Sequence, residues 1–448
     1  MGPYRLFLFA LCLATALNPL NSSMIAVTLV AFREDFDLSV AAVSWVITAF
    51  YIASAAIQPL LGQVADEHGP RRILLVGMAI VVVGCLVAAA ATSWFMLCLG
   101  RVVSACGTSA AFPAAIALIG RDAPARTHVS MLARIQLSGS LAVAVGPVVG
   151  GLLLAAGGWR AVFLVSIPLA GLAAAAVLIS VNTDPRPPNR RATHFARDLD
   201  VRGVVLMTLA LTTTVLTLQA ATWFSRALYA TILLASSVAL VRTERRHPRP
   251  AVDFRVLSDN PALARVYGAW LLLCTFYYTV LYGLPQLLED LGRLPHTSIG
   301  LALAPLAVTS VAITPFIVWA FRRRTPSKVL KIGTGFSVLV CVTSLAAGEW
   351  PTFWVGALIG CALGLTNGAV TLATNQQIFD ATPTGQAGTS AAMFQSLRYA
   401  GAIASTCVLG FAFQQQATPQ GWAVAIFICT AACIAALVLT AANSNNAT

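Results

Sequence analysis

Fourteen apolar stretches of about 20 residues, the length that crosses a bilayer core, divide this 448-residue chain and leave it few folds to choose from. They lie near 6–31, 41–61, 73–92, 94–120, 129–155, 161–181, 203–221, 226–241, 264–286, 298–320, 330–348, 352–376, 388–413 and 422–441. Lipid offers no partner for a free backbone N–H or C=O, so stretches of this kind become helices. Composition agrees, with 58% of residues hydrophobic, only 10% charged and a mean hydropathy of +0.81. The chain is expected to be all-α and integral to a membrane. The first stretch is too long for a cleaved leader and lacks a small-residue cleavage site before Asn18, Pro19 and Asn21, so it is expected to be retained.

A net charge of +12 would suggest nucleic acid in a soluble protein, but its placement fits lipid better. With the N-terminus in the cytoplasm, 21 of the 28 basic residues fall in inside loops. Arg33, Arg160, Arg226 and Arg293 fall outside, and Arg101, Arg134 and Arg398 lie within spans. This asymmetry predicts two cytoplasmic termini, an even number of crossings and residence in the cytoplasmic (inner) membrane. No nucleic-acid partner is expected.

Classes that need a metal, a nucleophile or a redox pair find no support. All ten cysteines lie in apolar stretches without metal-ligand spacing, and the five histidines fall in loops or at helix ends. No cofactor, metal or catalytic residue is expected, and the chain is not read as an enzyme. The sixteen acids likewise fall in loops or near helix ends, so none is placed deep in a span.

The polar run from Gly62 to Arg72 packs charge and glycine into a tight hinge between the second and third stretches. Glycine permits close backbone approach and unusual dihedrals there, and Arg71 and Arg72 belong at the cytoplasmic interface. The run resembles the loop between helices 2 and 3 of the major facilitator superfamily, with Gly62, Asp66, Gly69, Arg71 and Arg72 on the family's glycine, aspartate and basic positions. The resemblance implies two six-helix bundles and a gating role for this loop.

A shift of 256 residues places Pro59 on Pro315, Pro70 on Pro326, Arg72 on Lys328 and Gly77 on Gly333, so the two halves share one plan. The second copy keeps basic charge but has Arg322 and Thr325 where the first has Asp66 and Gly69. The shift exceeds what six helices require. The surplus resembles the extra helical pair of the fourteen-helix drug and proton antiporter group, as do the stretches Leu284–Leu288 and Gly300–Pro305. The expected organisation is a six-helix bundle at 1–181, a linker at 182–202, an extra transmembrane hairpin at 203–241, a second linker at 242–263, a six-helix bundle at 264–441 and a cytoplasmic tail at 442–448.

Arg101 opens the segment Arg101-Val102-Val103-Ser104-Ala105-Cys106-Gly107, which resembles the family motif whose arginine is implicated in proton coupling. Ser104 and Ala105 depart from the usual glutamine and glycine. An arginine in a span costs about 2.5–3.5 kcal/mol on translocon scales, so it faces a cavity or partner unless it snorkels to the interface. Gly139, Gly146, Pro147, Gly150 and Gly151 resemble the signature of exporters in the superfamily. Small residues there let helices approach closely, and the proline is expected to bend the fifth helix.

One departure bears on mechanism. Asn21 stands where the corresponding family segment often carries an aspartate. Without it the first span lacks the carboxylate that attracts a cationic substrate and exchanges a proton. What remains in the spans is positive: Arg398, in Gln395–Gly401, resembles an arginine-bearing segment of the fourteen-helix group, while Arg134 fits either the interface or the cavity. Tyr51, Gln58, Tyr278, Tyr282 and Gln286 join Asn21 and Arg398 as candidate cavity residues, since aromatic residues with polar tips suit amphipathic ligands. The same residue types also anchor helices, and Asn367 is open to both readings.

Together these features predict a monomeric exporter of small amphipathic molecules, neutral or anionic in preference, coupled to protons as the resemblance implies and working by alternating access. The alternatives are a proton-independent facilitator or an importer of a small nutrient.

Overall fold

The computed structural model describes residues 3–124, 127–184, 200–220, 222–246, 260–321, 323–381, 387–413 and 416–444, with the side chains of Asp66 and Glu67 outside that description. Most of both expected linkers and the last residues of the tail therefore lie outside the described residues. Among those described there is no strand. The helices are α1 (Pro3–Met24), α2 (Leu29–Phe36), α3 (Val40–His68), α4 (Pro70–Ala89), α5 (Trp94–Ser109), α6 (Ala111–Asp122), α7 (His128–Leu164), α8 (Ser166–Ser180), α9 (Val201–Gln219) and α10 (Trp223–Arg246). After them come α11 (Pro261–Asp290), α12 (His296–Ala302), α13 (Ala304–Phe321), α14 (Pro326–Ser344), α15 (Ala346–Glu349), α16 (Phe353–Ala381), α17 (Ala387–Phe413) and α18 (Pro419–Ser444).

Among the described residues, twelve helical segments are long and apolar enough to cross a membrane. Ala42–Gln58 within α3 and Ser166–Ser180, which is α8, are shorter apolar segments. The first is bounded by Ala41 and Pro59, whose side chains lie outside the described residues. Two helical parts of α7 meet at a break at Gly157 (φ −148°, ψ 17°) and Gly158 (φ 69°, ψ −176°), so the sixth stretch is made of the part after Gly158 together with α8. The break lies in the gap at 156–160 between the expected fifth and sixth stretches, ten residues beyond Pro147. Pro147 removes one backbone bond and its helix continues, whereas the dihedrals of Gly158 belong to a region essentially restricted to glycine.

The chain forms two compact units. The first comprises Met1–Asn21, Ala49–Ala142 and Arg160–Arg255. Inside it α4 and α5 cross on small residues. A Cβ on Gly107 would fall 2.6 Å from the Gly77 carbonyl oxygen, and one on Gly100 would fall 2.6 Å from the Ala88 nitrogen. Helix association in lipid has no hydrophobic drive, so such backbone approach supplies the packing. The α9–α10 hairpin is turned by Thr222, whose hydroxyl accepts from Ser225 N–H at 3.2 Å. It exposes Trp223, Phe224 and Leu234, an apolar surface suited to lipid.

The second unit comprises Ser22–Thr48, Val143–Trp159 and Val256–Thr448. Helix α11 is its axis, buried from Leu263 through Leu288 at nearly every position. Several ties join parts from the two sequence halves within this unit. Arg33 of α2 pairs with Asp290 of α11 at 3.0 Å, and the same carboxylate accepts the Ala417 N–H at 2.8 Å. Thr48 of α3 and Thr406 of α17 share a 2.7 Å hydroxyl bond. Trp159 donates to Asp35 at 2.6 Å while packing against Phe32 and Phe36.

Candidate functional site

The first unit buries Arg101 completely. Ser93 caps α5 by accepting the Met96 N–H, and small residues on either side of Arg101 bring α5 against α4. Arg101 Nη1 donates to Asn21 Oδ1, and the guanidinium carbon lies 4.1 Å from the Phe50 ring centroid. The other end of the Asn21 amide donates to Ser166 Oγ at 3.2 Å. Nearby on α1, Asn18 donates to Thr108 Oγ1 at 2.9 Å. Asparagine and phenylalanine thus hold a cation for which a carboxylate would be the simplest partner. The magnitudes permit it: a charged hydrogen bond contributes about 1.5–3 kcal/mol and a desolvated cation–π contact about 2. These are comparable to the insertion cost of the arginine. Tyr51 is buried edge-on to Phe50, and Gln58 is buried with no hydrogen-bond partner for Oε1 among the described residues.

The second unit brings four of the expected residues together. Tyr278, Tyr282 and Gln286 recur every four residues along one face of α11. The Tyr278 and Tyr282 rings stack with centroids 5.5 Å apart. Arg398, half-buried on α17, donates from Nε to Tyr278 Oη at 3.2 Å and from Nη1 to Gln395 Oε1 at 3.4 Å. Gln286 donates to the Tyr282 carbonyl at 2.8 Å, and its own buried Oε1 has no partner among the described residues. Tyr277 turns away from this row and lines a small cavity with Trp270, Ser337, Thr366 and Asn367. Its buried hydroxyl has no partner among the described residues.

At the Gly62 hinge, α3 ends at His68 and α4 begins at Pro70. Gly69 between them has φ 96°, open to glycine and strained for other residues. The N-terminus of α4 is satisfied by Asp184, whose carboxylate accepts the Arg71 N–H at 3.2 Å and the Arg72 N–H at 2.8 Å. Arg121, at the end of α6, donates to the same carboxylate at 2.6 Å. The Arg71 side chain reaches the Leu178 carbonyl at 3.3 Å, and Arg72 is exposed. Gly62 makes only ordinary contact with Pro113. The Asp66 side chain lies outside the described residues.

The glycines of α7 divide by environment. A Cβ on Gly146 would collide with the Ser23 hydroxyl, and one on Gly150 would lie 2.7 Å from the Met24 carbonyl oxygen. A Cβ on Gly300 would lie 3.1 Å from both the Gly151 Cα and the Pro147 carbonyl oxygen. Gly139 has only Pro19 near it, at 3.9 Å, and is not a point of close approach. Arg134 is exposed. Residues missed in the sequence are Phe50, Ser166 and Asp184. An apolar ring, a serine at a helix start and an acid before a proline-rich linker carry no local signal of the partners that tertiary packing gives them.

The Major Facilitator Superfamily description matches residues 11–406. The uncharacterized transporter YwoD of Bacillus subtilis is 30% identical over 92% of this chain and 91% of its own. The multidrug efflux pump LfrA of Mycolicibacterium smegmatis is 27% identical over 91% of this chain and 80% of its own. A uridine/deoxyuridine transporter of Lactococcus lactis is 24% identical over 83% of this chain and 79% of its own. Among solved structures, a POT family transporter in complex with 5-aminolevulinic acid is 14% identical, with a TM-score of 0.72 covering 98% of this chain and 96% of that one, a likeness of fold. Buried helices, a hinge built on Gly69 and a match over most of the length converge: the chain is a multi-pass membrane transporter of small molecules belonging to the Major Facilitator Superfamily.

Proposed function

We propose that this transporter is a proton-coupled exporter of small amphipathic compounds, with neutral or anionic compounds preferred to organic cations. The observation that carries this reading is the bond between Arg101 and the Asn21 amide, where the family segment often has an aspartate. Arg398 beside Tyr278 adds a second positive group with an aromatic face, a pairing suited to a carboxylate or phenolate on an apolar ligand. Similarity to LfrA supports export, and so do the tight contacts of Gly146 and Gly150. Proton coupling rests on the likeness of the Arg101 segment to the family motif. The uridine/deoxyuridine relative favours a second reading, uptake of a small nutrient.

In this proposal the protein is a monomer in the inner membrane with both termini cytoplasmic. The α9–α10 hairpin crosses the bilayer between two six-helix bundles at 1–181 and 264–441. The count of fourteen is completed by α3 and by the segment after Gly158 that continues into α8. Asp66 holds the cytoplasmic ends of helices when the inner side is closed, while Arg33–Asp290 and Thr48–Thr406 are ties that part in the opposite state. Everted vesicles with an imposed pH gradient and a panel of cationic, neutral and anionic dyes test the proposal. Uptake of anionic or neutral dyes that collapses with the gradient is expected. Preferential cation uptake overturns the charge preference, and gradient-independent flux overturns coupling.

A further inference from the structure

The carboxylate that organises the Gly62–Arg72 hinge is not within the hinge sequence. Asp184 lies 112 residues beyond Arg72, just past α8, with its side chain wholly buried. It gathers three helix ends. Its two oxygens accept the first free N–H groups of α4, those of Arg71 and Arg72, and one oxygen also accepts from Arg121 at the end of α6. Arg121 in turn bonds the Asn182 carbonyl at 3.2 Å and pairs with Asp122 at 2.7 Å, so the segment carrying Asp184 is itself fixed to α6. The orphan amides and positive dipole end of a helix favour an anion at this place, and Arg121 adds a full charge.

The hinge glycine fits the same arrangement. A Cβ on Gly69 would fall on the Asp184 carboxyl group. Position 69 must therefore lack a side chain both for its φ of 96° and to admit Asp184.

We infer that Asp184 is the positioning residue of the transport hinge: it clasps the start of α4 to the ends of α6 and α8, and thereby fixes the turn at Gly69 that joins α3 to α4. It touches no substrate. Its loss is expected to slow the conformational cycle while leaving ligand affinity intact.

The test uses the full chain in nanodiscs and in everted vesicles, comparing wild type with Asp184→Asn and Arg121→Gln. Hydrogen exchange is followed in the peptide spanning residues 69–73, with the 223–241 hairpin as reference. Asp184→Asn should speed exchange at 69–73 by about tenfold, the factor set by losing roughly 1.4 kcal/mol of charged hydrogen bonding, and leave the hairpin unchanged. Arg121→Gln, which keeps the carboxylate, should leave that exchange within about twofold of wild type, since both amide bonds remain. With fluorescein as an anionic probe, both variants should lower Vmax with KM nearly constant, Asp184→Asn the more. Unchanged exchange at 69–73 in Asp184→Asn overturns the inference. So does exchange that rises equally in the hairpin, which marks a general loss of structure, or a raised KM at constant Vmax. Should Asp184→Asn not accumulate, normal Vmax in Arg121→Gln is the overturning result. The kinetic arm rests on the proposed export. Absence of fluorescein transport by wild type would sink that proposal and leave the exchange arm to decide on Asp184.

Discussion

Arg101 donates to Asn21 across the first unit, so a buried guanidinium is held by an amide at the position where an acid is often found in the family. An amide satisfies the donor without supplying a negative charge of its own.

Asn21→Asp converts the contact into an ion pair without changing its shape. Transport of a lipophilic cation relative to an anionic dye is expected to rise by about tenfold, equivalent to 1.4 kcal/mol, in everted vesicles. An unchanged ratio would remove Asn21 from the basis of selectivity.

Arg398→Gln removes the cation beside the Tyr278–Tyr282 stack while keeping a donor. Binding of an anionic dye should weaken about tenfold, as expected for a charge-assisted hydrogen bond, and binding of a neutral analogue by much less. Tryptophan-fluorescence titration of purified protein compares the two. Equal losses would mean that Arg398 supports the fold alone.

The α7 glycines give a paired test of packing. Gly150→Ala sets a methyl 2.7 Å from the Met24 carbonyl, whereas Gly139→Ala meets Pro19 at 3.9 Å. Overpacking costs about 1–3 kcal/mol, so Gly150→Ala should lower the melting temperature in detergent by several degrees. Gly139→Ala should leave it close to wild type.

Arg33 and Asp290 form a pair with most of each side chain out of solvent. Arg33→Gln and Asp290→Asn should each change turnover by about two- to tenfold, more than the exposed-pair range implies, and the exchanged pair Arg33→Asp with Asp290→Arg should restore part of it. Asp290 also accepts the Ala417 N–H, so the exchange cannot restore everything. Non-interacting variants in a double-mutant cycle would dismiss the tie.

The hairpin supplies a topological check. Ser225→Cys, a half-buried position between the exposed Phe224 and the exposed Arg226, should react with an impermeant thiol reagent from the outer face of intact cells. Reaction from the cytoplasmic face alone would end the fourteen-span proposal.

Period and composition settled the helical, membrane-spanning character of this chain, because apolar length and backbone satisfaction in lipid admit little else. Local chemistry also made a hinge within 62–72 legible, and the structure narrows it to Gly69, at φ 96° between His68 and Pro70. The row Tyr278, Tyr282, Gln286 could be read from helical spacing, since residues four apart share a face whatever packs against them. Partners could not be read. Nothing local joins Asp184 to Arg72, or Asn21 to Arg101 and Ser166, because those meetings depend on how whole helices lie against one another. The break in α7 at Gly157 and Gly158 lies in the gap between the fifth and sixth apolar stretches, where apolar length puts it, whereas whether Pro147 bends the helix before it depends on packing around the chain.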